Sequence, residues 1–257
     1  MQKKADSINK LVERLYTPEY LSFKKKIIAK FKDEKPGQFG PFIPGIEPIK
    51  PSEKERKRLA FTFDACSGNR SGYNAALIDF LRKEKIHATL FVTGTWINAH
   101  LKIFKELAAD TLFEIENHGL YHRVCSINGL TMYGIMATRN AGEVIDEMEL
   151  NARRIKKITG LRPKFFRSST TYVDEASCKI AHELGMNVIS YDILSGDAVP
   201  FTPAEEIKNN ILKGARGGAI VIMHFNHPKW FEKQALELAI PELRKKAYSF
   251  VKLNQLR

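Results

Sequence analysis

The feature that most constrains the fold is a repeated alternation of short apolar runs and longer helical segments, which begins at Leu59. The runs from Leu59 to Phe63 and from Ala219 to Met223 are largely apolar, as strands buried on both faces of a parallel sheet are. Between such runs, apolar residues recur at helical spacing, for example from Tyr73 to Lys83. The sequence therefore predicts an α/β fold built from about seven β/α units.

The predicted strands are Leu59 to Phe63, Ala88 to Val92, Leu112 to Ile115, Lys164 to Phe166, Asn187 to Tyr191, Ala219 to Met223 and Phe250 to Leu253. The predicted helices are Tyr73 to Lys83, Ile97 to Ala109, Ala141 to Ile158, a segment that Asp174 caps and Gly185 ends, a segment that Gly214 ends, and Glu232 to Ala247. The segment Thr202-Pro203-Ala204-Glu205 has the order of a capping box with proline at the first helical position.

Polar side chains follow the predicted strands at the points where these strands end. They are Asp64, His118, His122, Arg167, Asp192, Asp197, His224 and His227. The carboxyl ends of barrel strands open into one mouth, where active sites of this architecture lie. Each residue also has a structural explanation, such as a turn cap for Asp64 or a core position for His224. Their joint occurrence at strand ends nevertheless predicts a single catalytic site.

Two histidines, His118 and His122, lie four residues apart. Both imidazoles can chelate one metal ion if the segment turns helically after the preceding strand. Alone, such a pair is more often two unrelated histidines than a metal site. The three cysteines lack CxxC spacing, so neither a zinc finger nor a disulfide framework is predicted.

Residues 1–50 are predicted to form an N-terminal extension, separate from a barrel domain of residues 51–257. Residues 5–33 carry apolar side chains at helical spacing. Five prolines and three glycines then occur between Pro36 and Pro51, and this composition cannot continue a helix or a central strand. We expect a linker or a wrapping arm there.

The chain carries a formal net charge of +12 at pH 7, which favours anionic partners. No nucleic-acid module accompanies the basic residues, so no nucleic-acid partner is expected. The charge is most simply explained by a solvated basic face, with an anionic envelope surface as the alternative. No apolar stretch approaches the roughly 20 residues of a membrane span, so no stable membrane insertion is expected. Met1-Gln2-Lys3-Lys4 is not followed by the apolar core of a signal peptide, which predicts a cytoplasmic protein if the sequence is full length.

The polar residues stand in motifs whose order resembles a known family. The motifs are Phe61-Thr62-Phe63-Asp64, His118-x-x-x-His122, Phe166-Arg167, the Asp197 region and Ile222-Met223-His224. From about Leu59 to the C-terminus, the chain resembles the NodB-like polysaccharide deacetylases, carbohydrate esterase family 4. The resemblance implies an incomplete (β/α)7 barrel, which agrees with the predicted strands.

The resemblance also implies a role for each motif residue. His118 and His122 bind a divalent metal, usually zinc, which activates water and polarises the acetamide carbonyl. Asp64 is the general base, and Arg167 keeps it ionised through a bidentate, charge-assisted hydrogen bond. A backbone N–H near Thr170 contributes to the oxyanion hole.

The implied general acid is His224, which protonates the departing sugar amine. An aspartate of the fourth motif raises the pKa of His224 and fixes its tautomer. Asp197 matches that position better, and Asp192 is the alternative. The tryptophan that usually follows this aspartate is replaced by Ala198.

Two further departures concern the metal site and the substrate groove. The family usually has a second aspartate after the base as third metal ligand, and this chain has Ala65 there, which predicts weaker metal binding. The third motif usually continues with two prolines and an aromatic residue. Here it reads Arg167-Ser168-Ser169-Thr170-Thr171-Tyr172, which predicts a different groove wall.

The sequence thus predicts a metal-assisted hydrolase that removes N-acetyl groups from an amino-sugar polymer, such as peptidoglycan or another bacterial envelope glycan. Two alternatives are a hydrolase of a different small amide with weak or no metal dependence, and a glycan-binding pseudoenzyme without catalysis. An envelope substrate predicts a periplasmic or other extracytoplasmic location, with the export signal absent from the sequence shown.

Overall fold

The computed structural model describes residues 13–47, 57–66 and 71–256. The predicted helical residues before residue 13, the predicted domain boundary at residues 50 and 51, and residues 67–70 lie outside these ranges. The chain divides into two compact units. Unit one comprises Met1–Glu47, Thr93–Lys105 and Asn117–Ile189, and unit two comprises Pro48–Val92, Glu106–Glu116 and Ser190–Arg257.

The strands and helices of the described residues are numbered here in chain order. The strands are β1 (Phe39–Gly40), β2 (Arg58–Ala65), β3 (Ala88–Val92), β4 (Phe113–Asn117), β5 (Phe165–Phe166), β6 (Val173–Asp174), β7 (Asn187–Val188), β8 (Ile193–Leu194), β9 (Ala219–His224) and β10 (Ser249–Phe250). The helices are α1 (Pro18–Lys30), α2 (Ala75–Lys83), α3 (Gly94–Ala99), α4 (Leu101–Ala109), α5 (Ala141–Ile145), α6 (Asn151–Thr159), α7 (Glu175–Glu183), α8 (Ala204–Gly214) and α9 (Glu232–Lys245). A π-helical turn, Asp146–Leu150, joins α5 to α6, and 3₁₀ turns cover Ser169–Thr171 and Leu253–Gln255.

Unit two is built around β2. The strand order there is β4-β3-β2-β9-β8, and β10 also pairs with β2. The pairs of β2 with β3, β9 and β10 are all parallel. Ala60, Phe61, Thr62 and Phe63 are all fully buried, as expected for a central strand covered on both faces. This arrangement places the carboxyl ends of β2, β3 and β9 at one edge of the sheet.

Unit one contains Asn117, the last residue of β4, together with β5 and β7. Asn117 pairs with Phe166 of β5, and β5 pairs in parallel with β7. The buried side chains of α5, α6, α7 and the π turn, including Val144, Met148 and Ile180, form one apolar core with Phe166.

Helix α1 belongs to the predicted N-terminal extension, and its described residues lie in unit one. Thr17 begins the helix, because its Oγ1 accepts the N–H of Tyr20 at 3.2 Å. Tyr20 Oη donates to Asp146 Oδ1 at 2.6 Å, and Lys24 Nζ donates to Asp146 Oδ2 at 2.6 Å. The π turn therefore holds α1 through one carboxylate.

Two predicted helices are interrupted. The segment predicted from Ile97 to Ala109 forms two helices, α3 and α4, because α3 ends at Ala99 and His100 leaves the helical conformation. The helix predicted from Ala141 to Ile158 contains the π turn, in which the apolar residues Met148 and Leu150 are buried. Apolar periodicity does not distinguish the two geometries over a single turn.

The predicted capping box at Thr202 is wrong. Helix α8 begins after Pro203, and no side chain caps it. The hydroxyl of Thr202 donates instead to the carbonyls of Gly196 at 3.0 Å and Val199 at 2.8 Å. Thr202 thus stabilises the preceding loop, an outcome that local sequence could not distinguish from a cap. The last predicted strand is also shorter than expected, since β10 ends at Phe250.

None of the helices in the described ranges has both the length and the apolar composition needed to cross a membrane.

Candidate active-site residues

Asp64 and His224 are register partners on adjacent strands of unit two. They lie at the carboxyl ends of β2 and β9, and the N–H of Phe225 donates to the carbonyl of Asp64 at 3.2 Å. Register partners on parallel strands carry their side chains on the same face, and neighbouring strands are about 4.8 Å apart. The Asp64 carboxyl and the His224 imidazole therefore leave the sheet side by side, and Asp64 is only 2% exposed.

Asp197 holds His224 in place. Asp197 Oδ2 accepts the backbone N–H of His224 at 2.6 Å, and both carboxylate oxygens lie 3.3 Å from Nδ1 of its ring. The hydroxyl of Ser195 donates to Asp197 Oδ1 at 2.9 Å and orients the carboxylate. Burial disfavours the charged imidazolium, but the charge and hydrogen bond of Asp197, aided by a hydrogen bond with Cys66, outweigh it. The pKa of His224 is raised well above its usual value.

Asp192, the alternative partner for His224, lies elsewhere in unit two. Its carboxylate accepts the N–H of Ile220 at 2.9 Å and forms an ion pair with Arg216. These contacts fix the start of β9 rather than its end. Of the two aspartates, the structure brings Asp197 to His224.

The loop after β9 carries two aromatic rings beside His224. His227 stacks on Trp230, with ring centroids 3.6 Å apart and an angle of 14° between the planes. The His224 ring lies 6.4 Å from each of them, centroid to centroid. Burial, together with the charge on His224, lowers the pKa of His227. The pKa values of the two neighbouring histidines are thus shifted in opposite directions.

Glu232, at the start of α9, is a buried carboxyl that sequence analysis did not identify. The residue is 0% exposed, and Oε2 accepts from Asn74 Nδ2 at 3.4 Å. Within the described residues, Oε1 has no hydrogen-bond partner. Burial, and then the charge of Asp197, raise the pKa of Glu232 to about 8. A glutamate in the first turn of a helix is ordinary, so the sequence carries no signal of this environment.

In unit one, His118 follows β4 and is 2% exposed. Its Nδ1 lies 2.9 Å from the carbonyl oxygen of Arg167. A carbonyl oxygen only accepts hydrogen bonds, so Nδ1 carries a proton, and in the neutral ring Nε2 then has the lone pair. Histidines that bind metals usually donate their other ring N–H to such a carbonyl or to a carboxylate. The contact with Arg167 thus fits a metal ligand.

His122 lies beside His118, with ring centroids 5.0 Å apart and planes at 68°. Ser169 Oγ is 3.3 Å from Nδ1 and 3.2 Å from Nε2 of the His122 ring. The segment between the histidines is not helical, contrary to the expectation for a chelating pair. Positive φ angles at Gly119 (85°) and His122 (65°) bring the rings together instead.

Glu147, in the π turn, organises the loop that carries both histidines. Its Oε1 accepts the backbone N–H of Tyr121 at 2.9 Å and that of Arg123 at 3.0 Å. A Cβ at Gly119 would collide with the same carboxyl, so only glycine fits there. Burial raises the pKa of Glu147, although these N–H groups and nearby cations oppose the effect. Sequence analysis missed Glu147 because it is 25 residues from His122 in the chain.

Arg167 follows β5 and is fully buried. Its backbone N–H donates to the carbonyl of Asn117 at 3.0 Å, which fixes the end of β5 against the end of β4. Thr170 and Thr171 then adopt positive φ angles of 62° and 64°. Such angles are strained for β-branched residues and are found where surrounding structure imposes a loop shape.

The position of the usual second aspartate is occupied by Ala65, which is fully buried at the end of β2. A methyl group offers no ligand atom. His118 and His122 remain a candidate metal-binding pair in unit one.

A family model and several curated relatives match this chain. The family model described as polysaccharide deacetylase matches residues 52–189, more than half of the chain. A peptidoglycan-N-acetylglucosamine deacetylase from Bacillus cereus is 26% identical over 202 residues, which are 78% of this chain and 88% of that protein. Alignments to some other curated relatives span 31–60% of the relative's length.

Solved structures show the same fold. A pseudoenzyme of carbohydrate esterase family 4 from Bacillus anthracis, BA3943, has a TM-score of 0.65 at 23% identity, over 78% of this chain and 65% of that chain. A mutant of that pseudoenzyme has restored enzymatic activity. An acetyl xylan esterase from Clostridium thermocellum, in complex with a cobalt ion, has a TM-score of 0.65 at 25% identity, over 78% of this chain and 90% of that chain.

These likenesses confirm the α/β fold of the incomplete (β/α)7 type that the sequence predicts. Members of the matched family are hydrolases acting on amides, its deacetylases are metal-dependent, and the homologues include peptidoglycan deacetylases. On the family model and the fold together, the chain belongs to the polysaccharide deacetylases of carbohydrate esterase family 4.

Proposed function

We propose that this chain hydrolyses N-acetyl groups of an amino-sugar polymer, with peptidoglycan or another bacterial envelope glycan as substrate. The observation that carries the proposal is the pairing of Asp64 with His224 at neighbouring strand ends, with Asp197 bound to the histidine. Amide hydrolysis needs a group that accepts a proton and a group that donates one. Unit two supplies both on one face of its sheet.

In the proposed reaction, Asp64 accepts a proton from water as the water oxygen bonds to the acetyl carbon. His224 donates its proton to the sugar nitrogen as the carbon–nitrogen bond breaks, which releases acetate and a free amine. The raised pKa of His224 favours the protonated form that a proton donor needs. From the family resemblance, Arg167 is assigned to supporting the base Asp64, and the backbone near Thr170 to stabilising the oxyanion.

We assign His118 and His122 to a divalent metal, with zinc as the expected ion. The Nδ1–H of His118 donates to a carbonyl, and in the neutral ring the lone pair that a metal requires is then on Nε2. When bound, such an ion lowers the pKa of water and polarises a carbonyl. With Ala65 in place of a carboxylate, we expect weaker binding than at a site with three protein ligands.

Acetate release from N-acetylglucosamine oligomers, measured with and without a chelator, tests the proposal. We expect release by the wild type, loss of release with chelator, and recovery on adding zinc. Asp64→Asn keeps the side-chain shape but removes the proton acceptor, and we expect about 10²- to 10⁴-fold slower release. Turnover of small amides without any release from the oligomers would favour the alternative small-amide hydrolase.

A non-catalytic, glycan-binding role is the second candidate, and Ala65 is the observation that favours it. Calorimetric titration of zinc into wild type, Ala65→Asp and a His118→Ala control distinguishes the two. If the metal assignment is right, Ala65→Asp binds zinc more tightly and His118→Ala binds it less. Undiminished glycan binding, with no acetate release in the presence of any of several divalent metals, would establish the pseudoenzyme instead.

We further propose an extracytoplasmic location, since envelope glycans lie outside the cytoplasmic membrane. The net charge of +12 would favour attraction to anionic envelope polymers. Residues 1–50 are assigned to an extension of the catalytic domain. Fractionation of cells that express the native gene, followed by antibody detection, tests the location directly.

A further inference from the structure

The histidine loop, which we define as residues 118–123, contains a residue in a conformation that its type disfavours. His122 has a φ angle of 65°, whereas the 85° of Gly119 is ordinary for glycine. The left-handed region is uncommon for other residues and persists where the surrounding structure imposes it. The paired arrangement of the His118 and His122 rings therefore depends on what packs against the loop.

Helix α1 packs directly on the middle of this loop. Tyr20 is fully buried and forms an apolar cluster with Leu120 of the loop and with Leu150, the last residue of the π turn. Tyr121, the next residue of the loop, packs against the same cluster. Leu120 lies between the two histidines in the chain. The helix thus contacts the loop at the point that separates its two candidate metal ligands.

The surroundings of Leu120 leave it little room to move. A Cβ placed on Gly94 would lie 2.6 Å from Cδ1 of Leu120. The carbonyl of Leu120 accepts the N–H of Thr95 at 3.0 Å, and its own N–H donates to the carbonyl of Glu147 at 2.9 Å. The start of α3 and the π turn therefore hold the backbone of Leu120, while Tyr20 packs against its side chain.

A second route joins α1 to the same loop through the π turn. Tyr20 Oη donates to Asp146 Oδ1 at 2.6 Å. The next residue, Glu147, accepts the backbone N–H groups of Tyr121 and Arg123. Adjacent residues of one turn therefore bind the N-terminal helix and the histidine loop.

Charged neighbours fix the orientation of Tyr20. Burial, and then the charge of Asp146, raise the pKa of Tyr20, so its hydroxyl keeps the proton that it donates. Hydrogen bonds to a carboxylate are stronger than those between neutral groups. The guanidinium of Arg153 lies 5.1 Å from the centroid of the Tyr20 ring, and Arg153 is itself held by Glu149 at 2.7 Å. The Tyr20 ring is thus held in place by contacts at its hydroxyl and at its face.

We propose that Tyr20 is a positioning residue for the candidate metal site, and that α1 holds the His118 and His122 rings in their paired arrangement. The proposal rests on the proposed function, because it takes these two histidines as the metal ligands. The matched family model begins at residue 52 and does not include α1. Metal affinity in this chain therefore depends on a helix that precedes the matched family domain.

Zinc titration of the full chain, measured by calorimetry, tests the proposal. In Tyr20→Ala we expect about tenfold weaker zinc binding, the lower end of the effect typical of groups that support metal ligands. Tyr20→Phe keeps the ring against Leu120, and Asp146 keeps Tyr16 and Lys24 as donors. Tyr20→Phe should therefore recover most of the affinity.

Ile27→Ala is the matched control. Ile27 lies on the same helix and is 4% exposed, but it packs in a different apolar cluster of unit one, with Val144 and Met148. Both alanine substitutions remove a buried side chain from α1, whereas only Tyr20→Ala removes a contact with the histidine loop. Ile27→Ala should therefore bind zinc as tightly as the wild type does.

Hydrogen exchange without zinc gives a second measurement, which does not depend on metal binding. Three N–H groups of the histidine loop donate to Glu147, and the N–H of Ile189 in the same unit serves as the reference. Relative to this reference, the loop groups should exchange about fivefold faster in Tyr20→Ala than in the wild type. In Ile27→Ala their relative exchange should not change.

The proposal is overturned if Tyr20→Ala binds zinc as tightly as the wild type. It is also overturned if Ile27→Ala loses as much affinity, since α1 would then act only on overall stability. If the wild type binds no zinc, the metal assignment of the proposed function fails, and hydrogen exchange alone decides whether α1 holds the loop. Faster relative exchange in Tyr20→Ala than in Ile27→Ala would then support that role, and equal exchange would overturn it.

Discussion

His118 of unit one and His224 of unit two differ in the group that meets the same ring atom, Nδ1. For His118 this group is the carbonyl of Arg167, at 2.9 Å. For His224 it is the carboxylate of Asp197, at 3.3 Å. Both acceptors orient the ring and fix a proton on Nδ1, but only the charged acceptor adds electrostatic stabilisation of the imidazolium. The comparison teaches that a neighbouring carboxylate favours the proton-donating form of a histidine, which a carbonyl in the same position does not.

The largest effects on acetate release and on zinc affinity are expected when the imidazole of His224 or that of His118 is removed by substitution with alanine. His224→Ala should slow acetate release by about 10²- to 10⁴-fold, because the departing amine loses its proton donor. Zinc affinity should not change. His118→Ala should instead reduce zinc affinity by more than about 100-fold, since a direct ligand matters more than a supporting residue.

Calorimetry with zinc, alongside acetate release, measures both variants. A His224→Ala protein that no longer binds zinc, with a His118→Ala protein that still does, would show that the two roles are reversed.

Asp197→Asn converts the environment of His224 into one that resembles that of His118. The asparagine keeps the shape but removes the charge, so the pKa of His224 should fall. We expect acetate release at pH 8 to drop by about 10²-fold and to recover partly towards pH 6. The pH dependence of kcat/KM and NMR titration of the His224 ring measure the shift, with Asp192→Asn as the matched control.

The same substitution should change the pH dependence of stability. The folded pKa of His224 lies above its unfolded value, so the stabilisation is complete below the unfolded pKa and is lost as pH rises through the folded pKa. Asp197→Asn should therefore destabilise the fold more at pH 6 than at high pH. If the free energy of unfolding depends on pH in the same way in Asp197→Asn and wild type, Asp197 does not stabilise the imidazolium of His224.

Glu147→Ala tests whether the loop around His118 depends on the π turn. Without the carboxylate, the N–H groups of Tyr121 and Arg123 lose their acceptor, and we expect zinc affinity to fall about tenfold. Glu147→Gln retains an oxygen at the same position and should recover most of the affinity. Zinc titration of both variants measures this, and equal affinity in Glu147→Ala and wild type would remove Glu147 from the site.

The smallest effect on activity is expected for Glu232→Gln, less than about twofold at pH 7, because an amide resembles the uncharged carboxyl. The effect should instead be seen in stability. Burial raises the folded pKa of Glu232 from 4.5 to about 8. Between these values the folded state keeps a proton that the unfolded state releases, so wild-type stability falls as pH rises.

Glu232→Gln should remove that fall, which amounts to about 1–3 kcal/mol between pH 5 and pH 8. Urea unfolding at several pH values measures it. If the free energy of unfolding falls equally with pH in wild type and Glu232→Gln, then Glu232 is already ionised in the folded state.

Much of the fold could be predicted because strands that are buried on both faces appear in the sequence as nearly continuous apolar runs. Strand β3 has the predicted bounds, Ala88–Val92, and β9 extends the predicted run by a single residue, His224. Short edge strands such as β8, with two residues, leave too little apolar pattern to identify. The fold class follows from the long central strands and does not need the edges.

The candidate site was predictable only as a set of residue types at strand ends. Asp64 and His224 could be placed there because each follows an apolar run. The contacts that set the chemistry of the site residues join distant parts of the chain. Examples are the contact of Asp197 with His224 and that of Glu147 with the loop of His122. Thr202 shows the same limit locally, because one hydroxyl can cap a helix or bond to the preceding loop.

The π turn at Asp146–Leu150 has a consequence for the lengths that this segment tolerates. A π turn contains one residue more than the α-helical turn it replaces. Deleting one residue there would let α5 and α6 join as a regular helix without rotating one against the other, because the wider turn absorbs the extra residue. The faces of α5 and α6 that pack in the apolar core would stay in register, whereas the positions of Asp146 and Glu147 within the turn would change. The core should therefore tolerate a single-residue deletion in the π turn better than one inside α5 or α6, where every following side chain would rotate by about 100°.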